Sequence, residues 1–334
     1  MITDVRTVLE PVSEEQRARI LSAPRTADAH RQLLNGIPAM NAVQCGGRAQ
    51  RDRLPSDVTV VAWNVERCLF PEVCAGHLEP IKPDVVLLSE VDHGMARTSQ
   101  RHTTESFADA LSMVYAYGVE FHELGLGGPT ELQLCTDDFN VLGWHGNAIL
   151  SAVPFDRVAM VRLDDHGHWF ASNSGASDPE QPRVGGRLAL LAELPTEKGP
   201  ITVVSTHLES NADAPHRHRQ FDILLDAIDD FAPSGPVVIG GDLNTGNHMP
   251  PDFEWRKETL FSLAESRGYS WEFTAEGSTT RPSLITPHPD RQMKLDWIAG
   301  RGLRCQECGI RTSLSDAGQP LSDHDLVWAA VSLD

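Results

Sequence analysis

Asp242 and Asn244, a carboxylate and an amide one residue apart, follow the apolar run at residues 237–239 and the pair Gly240 and Gly241. The apolar run is typical of a strand that is buried on both faces. The glycines suit a tight turn or a close approach of the backbone to another group. Ligands bind at the carboxyl ends of strands in open α/β sheets, which makes these two side chains candidates for a site. Aspartate, asparagine and glycine are also common in turns, so this stretch alone fits either interpretation.

Similar polar residues stand at the ends of other strand-like runs. They are Asn64 after "VTVVAW", Glu90 after "DVVLLS", His207 after "ITVVST", Asp296 inside "KLDWIAG", and Asp323 and His324 before "LVWAAVSL". Each of them alone fits a turn or a solvated loop. Because the strands of a packed sheet bring their ends to a common rim, we expect these side chains to converge.

The residue types together support phosphoryl transfer to water. Glu90, Asp242 and Asp323 offer hard oxygen ligands, which suit Mg²⁺ or Mn²⁺ rather than zinc. His207 and His324 can donate hydrogen bonds to a phosphoryl oxygen or transfer protons. Such a reaction needs a metal to neutralise the phosphate, a positioned water, and donors aimed at the phosphoryl oxygens.

The elements that position these residues alternate between short apolar strands and amphipathic helices. Predicted strands are "VTVVAW", "DVVLLSE", "NAILSA", "RLALLAEL", "ITVVSTHL", "PVVIGGD", "KLDWIAG" and "LVWAAVSL". Predicted helices are "TESFADALSMVYA", "HRHRQFDILLDAIDDF" and "WRKETLFSLAESRG". This alternation favours an α/β fold, with antiparallel pairing where strands follow one another directly.

Residues 1–56 differ from the rest of the chain. Ser13 and Gln16 form a capping-box pattern, and a second helix is predicted from Thr26 to Gly36. The stretch "CGGRAQRDRLPSD" is predicted to be a linker or an exposed loop. We therefore expect a helical N-terminal extension and linker over residues 1–56.

Composition limits the classes of function. The 334 residues carry a formal net charge of −19, which repels polyanions and favours a small or localised phosphate over long nucleic acid. The apolar runs are no longer than strands, so no membrane span is predicted. Residues 1–15 lack the pattern of a secretory signal, and a cytoplasmic location is expected.

A series of motifs resembles the endonuclease/exonuclease/phosphatase superfamily, which includes pancreatic-type deoxyribonuclease, exonuclease III-like repair enzymes, inositol polyphosphate 5-phosphatases and neutral sphingomyelinases. The motifs are, in order, "WNV" (63–65), "SEVD" (89–92), "HGNAILS" (145–151), "STHL" (205–208), "GGDLNT" (240–245), "LDWI" (295–298) and "SDH" (322–324). The resemblance implies a catalytic domain over residues 57–334. It also implies a four-layer deoxyribonuclease I-like fold, in which two mixed β-sheets pack as a sandwich flanked by helices.

The resemblance also implies a ligand set for Mg²⁺ or Mn²⁺. Glu90 looks like the main metal ligand, with Asn64 beside it, and Asp323 resembles the residue offered to the metal. Asp242 looks like the carboxylate that activates or orients the attacking water. Asn244 resembles its phosphate-orienting neighbour.

Two histidines complete the implied catalytic set. His207 matches the histidine that donates to the phosphate or the leaving group, and His324 matches a phosphate-contacting histidine. Asp296 resembles the aspartate that fixes the tautomer of His324. Asn147 falls in a family motif, as a structural residue or at the cleft wall.

Other polar residues keep two interpretations. Arg183 and Arg187, at the end of the long polar loop 162–187, could bind a substrate phosphate or be exposed solubilising charges. Glu66 is a candidate only for a role beyond the direct metal ligands. Two further patterns fit either metal ligands or ordinary structural or surface residues. They are the Cys305/Cys308 pair and the His-x-His pairs His166/His168 and His216/His218.

The sequence thus predicts a Mg²⁺- or Mn²⁺-dependent hydrolase of phosphoesters, either a phosphodiesterase or a phosphatase. The expected substrate is a small molecule, a nucleotide or a lipid headgroup. A metal-dependent nuclease is the alternative within enzymes, and a non-catalytic binding module on the same scaffold is the alternative outside them. The sequence leaves the oligomeric state open.

Overall fold

The computed structural model of the protein describes residues 1–172, 182–247, 254–288 and 292–333. The strands within these residues are β1 (Val5–Arg6), β2 (Val43–Gly47), β3 (Asp57–Arg67), β4 (Val85–His93), β5 (Val114–Glu123), β6 (Trp144–Ser151), β7 (Arg157–Arg162), β8 (Arg183–Gly185), β9 (Leu188–Thr196), β10 (Gly199–His207), β11 (Val237–Asp242), β12 (Asp296–Arg301), β13 (Arg304–Arg311) and β14 (Leu326–Ser332). The α-helices are α1 (Glu14–Ser22), α2 (Ala27–Asn35), α3 (Pro71–His77), α4 (Thr103–Leu111), α5 (Pro129–Leu132), α6 (Ala214–Phe231) and α7 (Leu260–Ser266).

The strands form two mixed sheets. The larger sheet has the order β1-β2-β5-β6-β4-β3-β14-β13, with β8 paired to β5, and the smaller has the order β12-β11-β10-β9-β7. Parallel pairs, such as β3 with β4 and β10 with β11, occur beside antiparallel ones in both sheets. The prediction of two mixed sheets packed as a sandwich between helices is confirmed.

The two sheets pack face to face through their central strands, with β11 against β3 and β10 against β4 and β6. Gly240 shows how close this approach is. A Cβ atom built there would lie 2.8 Å from Leu87 Cδ1 and 3.0 Å from Ala62 Cβ. Any side chain at Gly240 would therefore push the sheets apart just below the end of β11.

Helices cover the outer faces. A second core holds Phe221, Leu224 and Ile228 of α6 and Leu260 of α7 against the smaller sheet. Helix α4 packs on β4 and β5 of the larger sheet, and α3 packs on α4. None of the helices in the described part of the chain is both long and apolar enough to cross a membrane.

One helix prediction is wrong at its end. The stretch 104–116 was predicted to be helical throughout, but α4 ends at Leu111 and Ser112 adopts a left-handed conformation, with φ 55°. Residues 114–123 form β5, which pairs with β6 on one side and β2 on the other. Sheet pairing and burial on both sides outweigh the helical pattern here.

The N-terminal region is more integrated than its composition suggests. The capping box of Ser13 and Gln16 is present, but residues 45–47, predicted to be linker or loop, belong to β2. Strand β2 pairs with β5 inside the larger sheet, and Leu54 is fully buried. Gly36 ends α2 with φ −86°, so it does not use the left-handed conformation expected of a glycine there. A boundary at residue 57 stays a prediction.

Two partly buried histidines, His93 of β4 and His102 just before α4, are stacked on each other. The rings of His93 and His102 lie 3.8 Å apart at 12°, and Tyr117 packs edge-on against both. The Nδ1 atom of His93 and both ring nitrogens of His102 are buried without a hydrogen bond to the described residues. Burial lowers the pKa of His93 to about 4 and that of His102 well below its ordinary value.

We predict that these histidines make stability pH-dependent. The unfolded chain binds their protons below about pH 6.5, whereas burial lowers the pKa of His93 to about 4 and that of His102 well below its ordinary value, so stability falls as the pH is lowered below about 6.5. The loss is at most about 1.4 kcal/mol per pH unit for each histidine. Urea unfolding at about pH 7.5 and about pH 5.5 should show a smaller loss in the double variant His93→Phe/His102→Phe than in the wild type. The control His218→Gln should keep the wild-type loss, and an equal loss in the double variant would refute the assignment.

Candidate active site

Three strands of the smaller sheet place polar side chains side by side. His207 pairs with Asp242 across β10 and β11, and Asp242 pairs with Asp296 across β11 and β12. Because β12 runs antiparallel to β11, Asp296 opens its strand while His207 and Asp242 close theirs. Neighbouring strands are about 4.8 Å apart, so the three residues form one row at the rim.

The local backbone conformation at the end of β11 explains the residue types found there. Gly241 has φ 152°, and a Cβ atom there would lie 1.8 Å from the carbonyl oxygen of Thr206. Asn244 adopts the left-handed region, with φ 49°, which asparagine tolerates better than most residues. Its backbone N–H donates to Asp242 Oδ1 at 2.8 Å, and its side-chain amide donates to Leu208 O at 3.0 Å. The turn that follows Gly241 thus orients the Asp242 carboxylate.

The larger sheet contributes glutamates from three β-bulges. Register shifts occur between Asn64 and Arg67 in β3, between Leu88 and Val91 in β4, and between Val119 and Phe121 in β5. The residues inside these shifts include Glu66, Glu90 and Glu120. Glu66 and Glu90 also have positive φ angles of 40° and 59°. A bulge re-aims a side chain out of the regular alternation, and such strained positions cluster at functional sites.

The segment before β14 brings Asp323 and His324 to the same rim. Trp63 Nε1 donates to His324 O at 3.0 Å, and Ser322 Oγ donates to Asn64 O at 2.6 Å. Both bonds are buried and tie this segment to the end of β3. The "SDH" and "WN" motifs therefore meet in space although they lie at opposite ends of the domain.

The Asp242 carboxylate is the centre of the cluster. Its Oδ2 atom accepts a hydrogen bond from Asn64 Nδ2 at 3.1 Å, and the same amide donates to Glu90 Oε1 at 3.0 Å. His207 Nε2 lies 3.5 Å and His324 Nε2 3.7 Å from the same Asp242 oxygen. The two sheets are thus joined at the rim by polar contacts to one carboxylate.

His324 is held by Asp296. The Nδ1 atom of His324 lies 2.8 Å from Asp296 Oδ2, which leaves Nε2 facing Asp242. Burial lowers the pKa of His324, but Asp296, Asp242 and Asp323 raise it more, so the net pKa lies well above its ordinary value. Burial raises the pKa of Asp296 to about 6, although the charge of His324 opposes this. The geometry favours a protonated His324 whose Nε2–H is aimed at the rim.

His207 has partners that sequence reasoning missed. Glu120 Oε2 lies 3.5 Å from its Nδ1, and Arg187 Nη1 lies 2.8 Å from the same nitrogen. The same Nη1 atom also lies 3.1 Å from His207 Nε2, so the guanidinium contacts both ring nitrogens of the imidazole. Glu120 lies in β5, of which only residues 114–116 were predicted to be helical, and a bulged glutamate has no local sequence signal.

The candidate metal ligands Glu90 and Asp323 form an acidic group, with Glu66 beside them. Burial alone would raise the pKa of Glu90, but Arg67, paired with its Oε2, lowers it well below the ordinary value. Burial and then the charge of Asp323 raise the pKa of Glu66 to about 8. Burial, with a smaller contribution from Glu90, raises the pKa of Asp323. These carboxylates repel one another, and a divalent cation held among hard oxygen donors would relieve that repulsion.

A second group of candidate ligand atoms lies beside the first. One ligand atom each from Asp242, Asp296 and His324 lies within 4.8 Å of the others. The Nδ1 atom of His324 is already engaged by Asp296, so this group resembles a proton-handling chain more than a set of free ligands. For a hard cation, we favour the carboxylates of Glu90 and Asp323 over the imidazole.

Arg67 belongs to a buried ionic network beneath the rim. Its Nε atom lies 2.9 Å from Glu131 Oε1, an oxygen that also accepts from Arg97 Nη1 at 2.9 Å. Arg97 makes a two-bond contact with Asp92, whose Oδ1 also lies 2.8 Å from His145 Nδ1. Through Arg67, this network holds Glu90 in position. It was not predicted from the sequence.

The rim opens into a cavity of about 730 Å³. It is lined by Glu90, His207, Ser210, Asn211, Asp242, Asn244, Asn247, Thr280, Arg281, Thr286, His288, Gln292, Met293, Leu295, Asp323 and His324. Six of the predicted catalytic and metal residues therefore line one cavity: Glu90, His207, Asp242, Asn244, Asp323 and His324. Asn64 and Asp296 lie behind this surface and position Glu90, Asp242 and His324.

Three residues proposed to bind substrate do not line this cavity. Asn147 is buried and donates to Leu188 O at 3.2 Å. Arg187 is buried and paired with Glu120 and Glu209, and Arg183 lies 3.3 Å from a carboxylate oxygen of Glu123. Direct substrate binding by any of the three stays a prediction. Residues 173–181 of the preceding loop lie outside the described residues.

Comparisons with known proteins agree with this fold. A family model described as "Endonuclease/Exonuclease/phosphatase family" matches residues 61–324. Similar solved structures include an endonuclease/exonuclease/phosphatase from Beutenbergia cavernae DSM 12333 (22% identity, 83% of this chain and 72% of that chain, TM-score 0.59). Others are D. rerio TDP2 complexed with a single-strand DNA product (16%, 83% and 99%, 0.54) and a family protein from Bacteroides thetaiotaomicron (13%, 83% and 98%, 0.56). No curated protein is significantly similar in sequence. The match over residues 61–324 shows that the chain belongs to the endonuclease/exonuclease/phosphatase family.

Proposed function

We propose that the protein is a Mg²⁺- or Mn²⁺-dependent hydrolase of phosphoesters that acts on a small-molecule, nucleotide or lipid-headgroup substrate. Membership of the family supports metal-dependent cleavage of phosphoester bonds in general. The observation that carries the proposal is the pair of histidines that face Asp242 Oδ2 from two sides, beside the carboxylates of Glu90 and Asp323.

We assign Asp242 the role of aligning the attacking water. Its Oδ1 is held by the Asn244 N–H, and its Oδ2 faces the cavity between two imidazoles. An oriented carboxylate in this place can align a water for attack on phosphorus and receive its proton. Asn244 keeps this carboxylate in position, and its own contact to phosphate is part of the proposal.

We assign the two histidines as hydrogen-bond donors to the phosphate and to the leaving group. His324, charged through its contact with Asp296, can donate Nε2–H to a phosphoryl oxygen. His207 can donate a proton toward the leaving group from Nε2, which lies 3.5 Å from Asp242 Oδ2. Donors aimed at the developing charge stabilise the transition state without reorganisation.

Glu90 and Asp323 would hold the cation, with Asn64 orienting Glu90. When bound, a divalent cation supplies Lewis-acid polarisation of a phosphoryl oxygen and neutralises its charge. Glu90 is ionised and ready to bind because Arg67 holds its pKa down. Glu66, which accepts a hydrogen bond from Ser283 Oγ at 2.6 Å, interacts electrostatically with Asp323 and adds negative charge when it is ionised.

The cavity and the net charge favour a compact substrate. A cavity of about 730 Å³ falls within the range typical of small-molecule sites. The chain's net charge of −19 opposes binding of a long polyanion. Arg281 lines the cavity, its Nη1 lies 3.1 Å from Asp325, and its Nε is buried without a hydrogen bond to the described residues. Its charge can contact an anionic part of the substrate away from the reacting phosphorus.

Two alternatives remain distinct from this proposal. A metal-dependent nuclease would use the same rim, and the D. rerio TDP2 structure with a single-strand DNA product shows that a protein of this fold can hold nucleic acid. A non-catalytic binding module would have no need of the complete set Glu90, His207, Asp242, Asp296 and His324. Activity measurements separate all three.

The first functional prediction concerns the metal. Hydrolysis of chromogenic phosphomonoesters and phosphodiesters should vanish in EDTA and return with Mg²⁺ or Mn²⁺. Glu90→Gln should lower turnover by roughly 100-fold or more, since metal polarisation is worth several kcal/mol. The control Glu72→Gln removes a glutamate of an exposed ion pair with Arg101 and should have no effect. Full activity in EDTA would contradict the proposal.

The second prediction concerns the His324 and Asp296 pair. Asp296→Asn should lower turnover by roughly 100-fold or more, because an amide no longer stabilises the charged ring or its tautomer. Circular dichroism should show an intact fold, and turnover should be measured against pH for wild type and variant. Asp229→Asn, a change in a surface ion pair with Arg301, is the control. Near wild-type turnover in Asp296→Asn would show that the pairing is not catalytic.

The third prediction concerns substrate class. Small phosphoesters should be cleaved, whereas duplex DNA should be cleaved weakly and with little dependence on salt between about 0.05 M and about 0.3 M. The reason is that a duplex meets the negative surface along its whole length, while a compact ester meets only the cavity. Efficient duplex cleavage that falls steeply with added salt would instead establish the nuclease alternative.

A further inference from the structure

Three histidines form a cluster outside the candidate active site. His166 and His168 come from the loop after β7, and His216 comes from the first turn of α6. Their ring centroids are 6.0 Å (His166–His168), 5.6 Å (His166–His216) and 5.5 Å (His168–His216) apart. Segments separated by about 50 residues in the chain thus bring three imidazoles into mutual contact.

A buried carboxylate stands beside these rings. The Asp164 side chain is only 5% exposed, and its Oδ1 lies 3.8 Å from His166 Nδ1. Gln220 donates to the other oxygen, Oδ2, at 3.1 Å, whereas Oδ1 has no hydrogen-bond partner among the described residues. The Nε2 atom of His216 is likewise buried without a hydrogen bond. An acceptor and an imidazole nitrogen are therefore both left without a polar partner at the same place, which is costly unless something binds them.

The spacing of the rings suits a single transition-metal ion. With a Zn–N distance near 2.0–2.1 Å, each ring centroid lies about 3.2 Å from the ion, and tetrahedral to trigonal angles place the centroids about 5.2–5.5 Å apart. The observed spacing of 5.5 Å lies within this range, and those of 5.6 Å and 6.0 Å lie above it. The ligand atoms of the three rings do not all lie within 4.8 Å of one another, so binding requires rotation of imidazoles about χ2, a soft torsion.

His168 already has the outer contact of a metal ligand. Its Nε2 lies 2.7 Å from the backbone carbonyl of Asn211. A carbonyl only accepts, so Nε2 carries the proton and the lone pair is on Nδ1. Metal-binding histidines commonly donate their other N–H to such a carbonyl, which fixes the tautomer. Asn211 itself also lines the catalytic cavity.

We propose that His166, His168, His216 and Asp164 form a zinc site that is separate from the catalytic rim. Three imidazoles and one carboxylate are a donor set that zinc favours and Mg²⁺ does not. Zinc would neutralise the buried Asp164 and join the loop after β7 to the start of α6, next to a cavity of about 370 Å³ lined by Asp164, His166, His216 and Gln220. The site is independent of the proposed catalytic function.

The test measures zinc binding by the full-length protein in excess Mg²⁺, with a competing zinc chelator. The wild type should bind one zinc ion, and zinc should raise its thermal unfolding midpoint. His168→Gln, His216→Gln and Asp164→Asn should each weaken zinc binding by roughly tenfold to 100-fold or more. If His216→Gln does not fold, the half-exposed His166→Gln replaces it, and circular dichroism without zinc checks each variant.

Two controls locate the ion. His218→Gln alters the neighbouring histidine, whose Nδ1 contacts Thr259 Oγ1 at 2.8 Å instead, and should keep wild-type affinity. Glu90→Gln alters the catalytic rim and should also keep it. The proposal is overturned if zinc binds no more tightly than about 10 μM, or if its affinity falls in Glu90→Gln and not in the cluster variants. Loss of the proposed catalytic activity in Glu90→Gln has no bearing on the zinc result.

Discussion

The site depends on one carboxylate, Asp242, at which the two sheets meet. Just below it, Gly240 lets the sheets approach until only a hydrogen atom fits between β11 and the side chains of Ala62 and Leu87. At the rim itself, Asn64 from the larger sheet donates to Asp242 and Glu90 together. Apolar packing therefore sets the distance between the sheets, and this distance brings two imidazoles and the acidic group within reach of one oxygen.

Strain and buried charge are concentrated on the larger sheet's side of the rim. Glu66 and Glu90 occupy positive φ angles at bulges, a conformation that costs of order 1–3 kcal/mol for each residue. Glu90 is held there by Arg67, which is itself paired with Glu131 above the Arg97 network. Replacing one member of such a buried network leaves an uncompensated charge, which is far more damaging than the net contribution of the intact pairs. The network thus orients the rim more than it stabilises the fold.

The smaller sheet brings its residues to the same rim with regular strand pairing, because the β10–β11 and β11–β12 pairs have no register shift. Parallel β10 and β11 end at His207 and Asp242, while antiparallel β12 begins at Asp296. Chain direction explains why functional residues stand after some apolar runs and before others. An end of one strand and a start of its antiparallel neighbour share one edge of the sheet.

The sequence by itself determined the fold class, the order of most strands, and which polar residues stand at strand ends, because these depend on short-range patterns of apolar and polar residues. It did not reveal β2 or β5, whose stability comes from pairing with strands distant in the chain. It did not reveal Glu120 either, since a bulge is decided by the register between strands and has no local signal in the sequence. Only the tertiary structure decided that Arg187 contacts His207 in the interior, and that His166, His168 and His216 meet while His218 turns away. Such contacts depend on how separate segments pack, because the spacing of two residues along the chain does not determine the distance between their side chains in the folded protein.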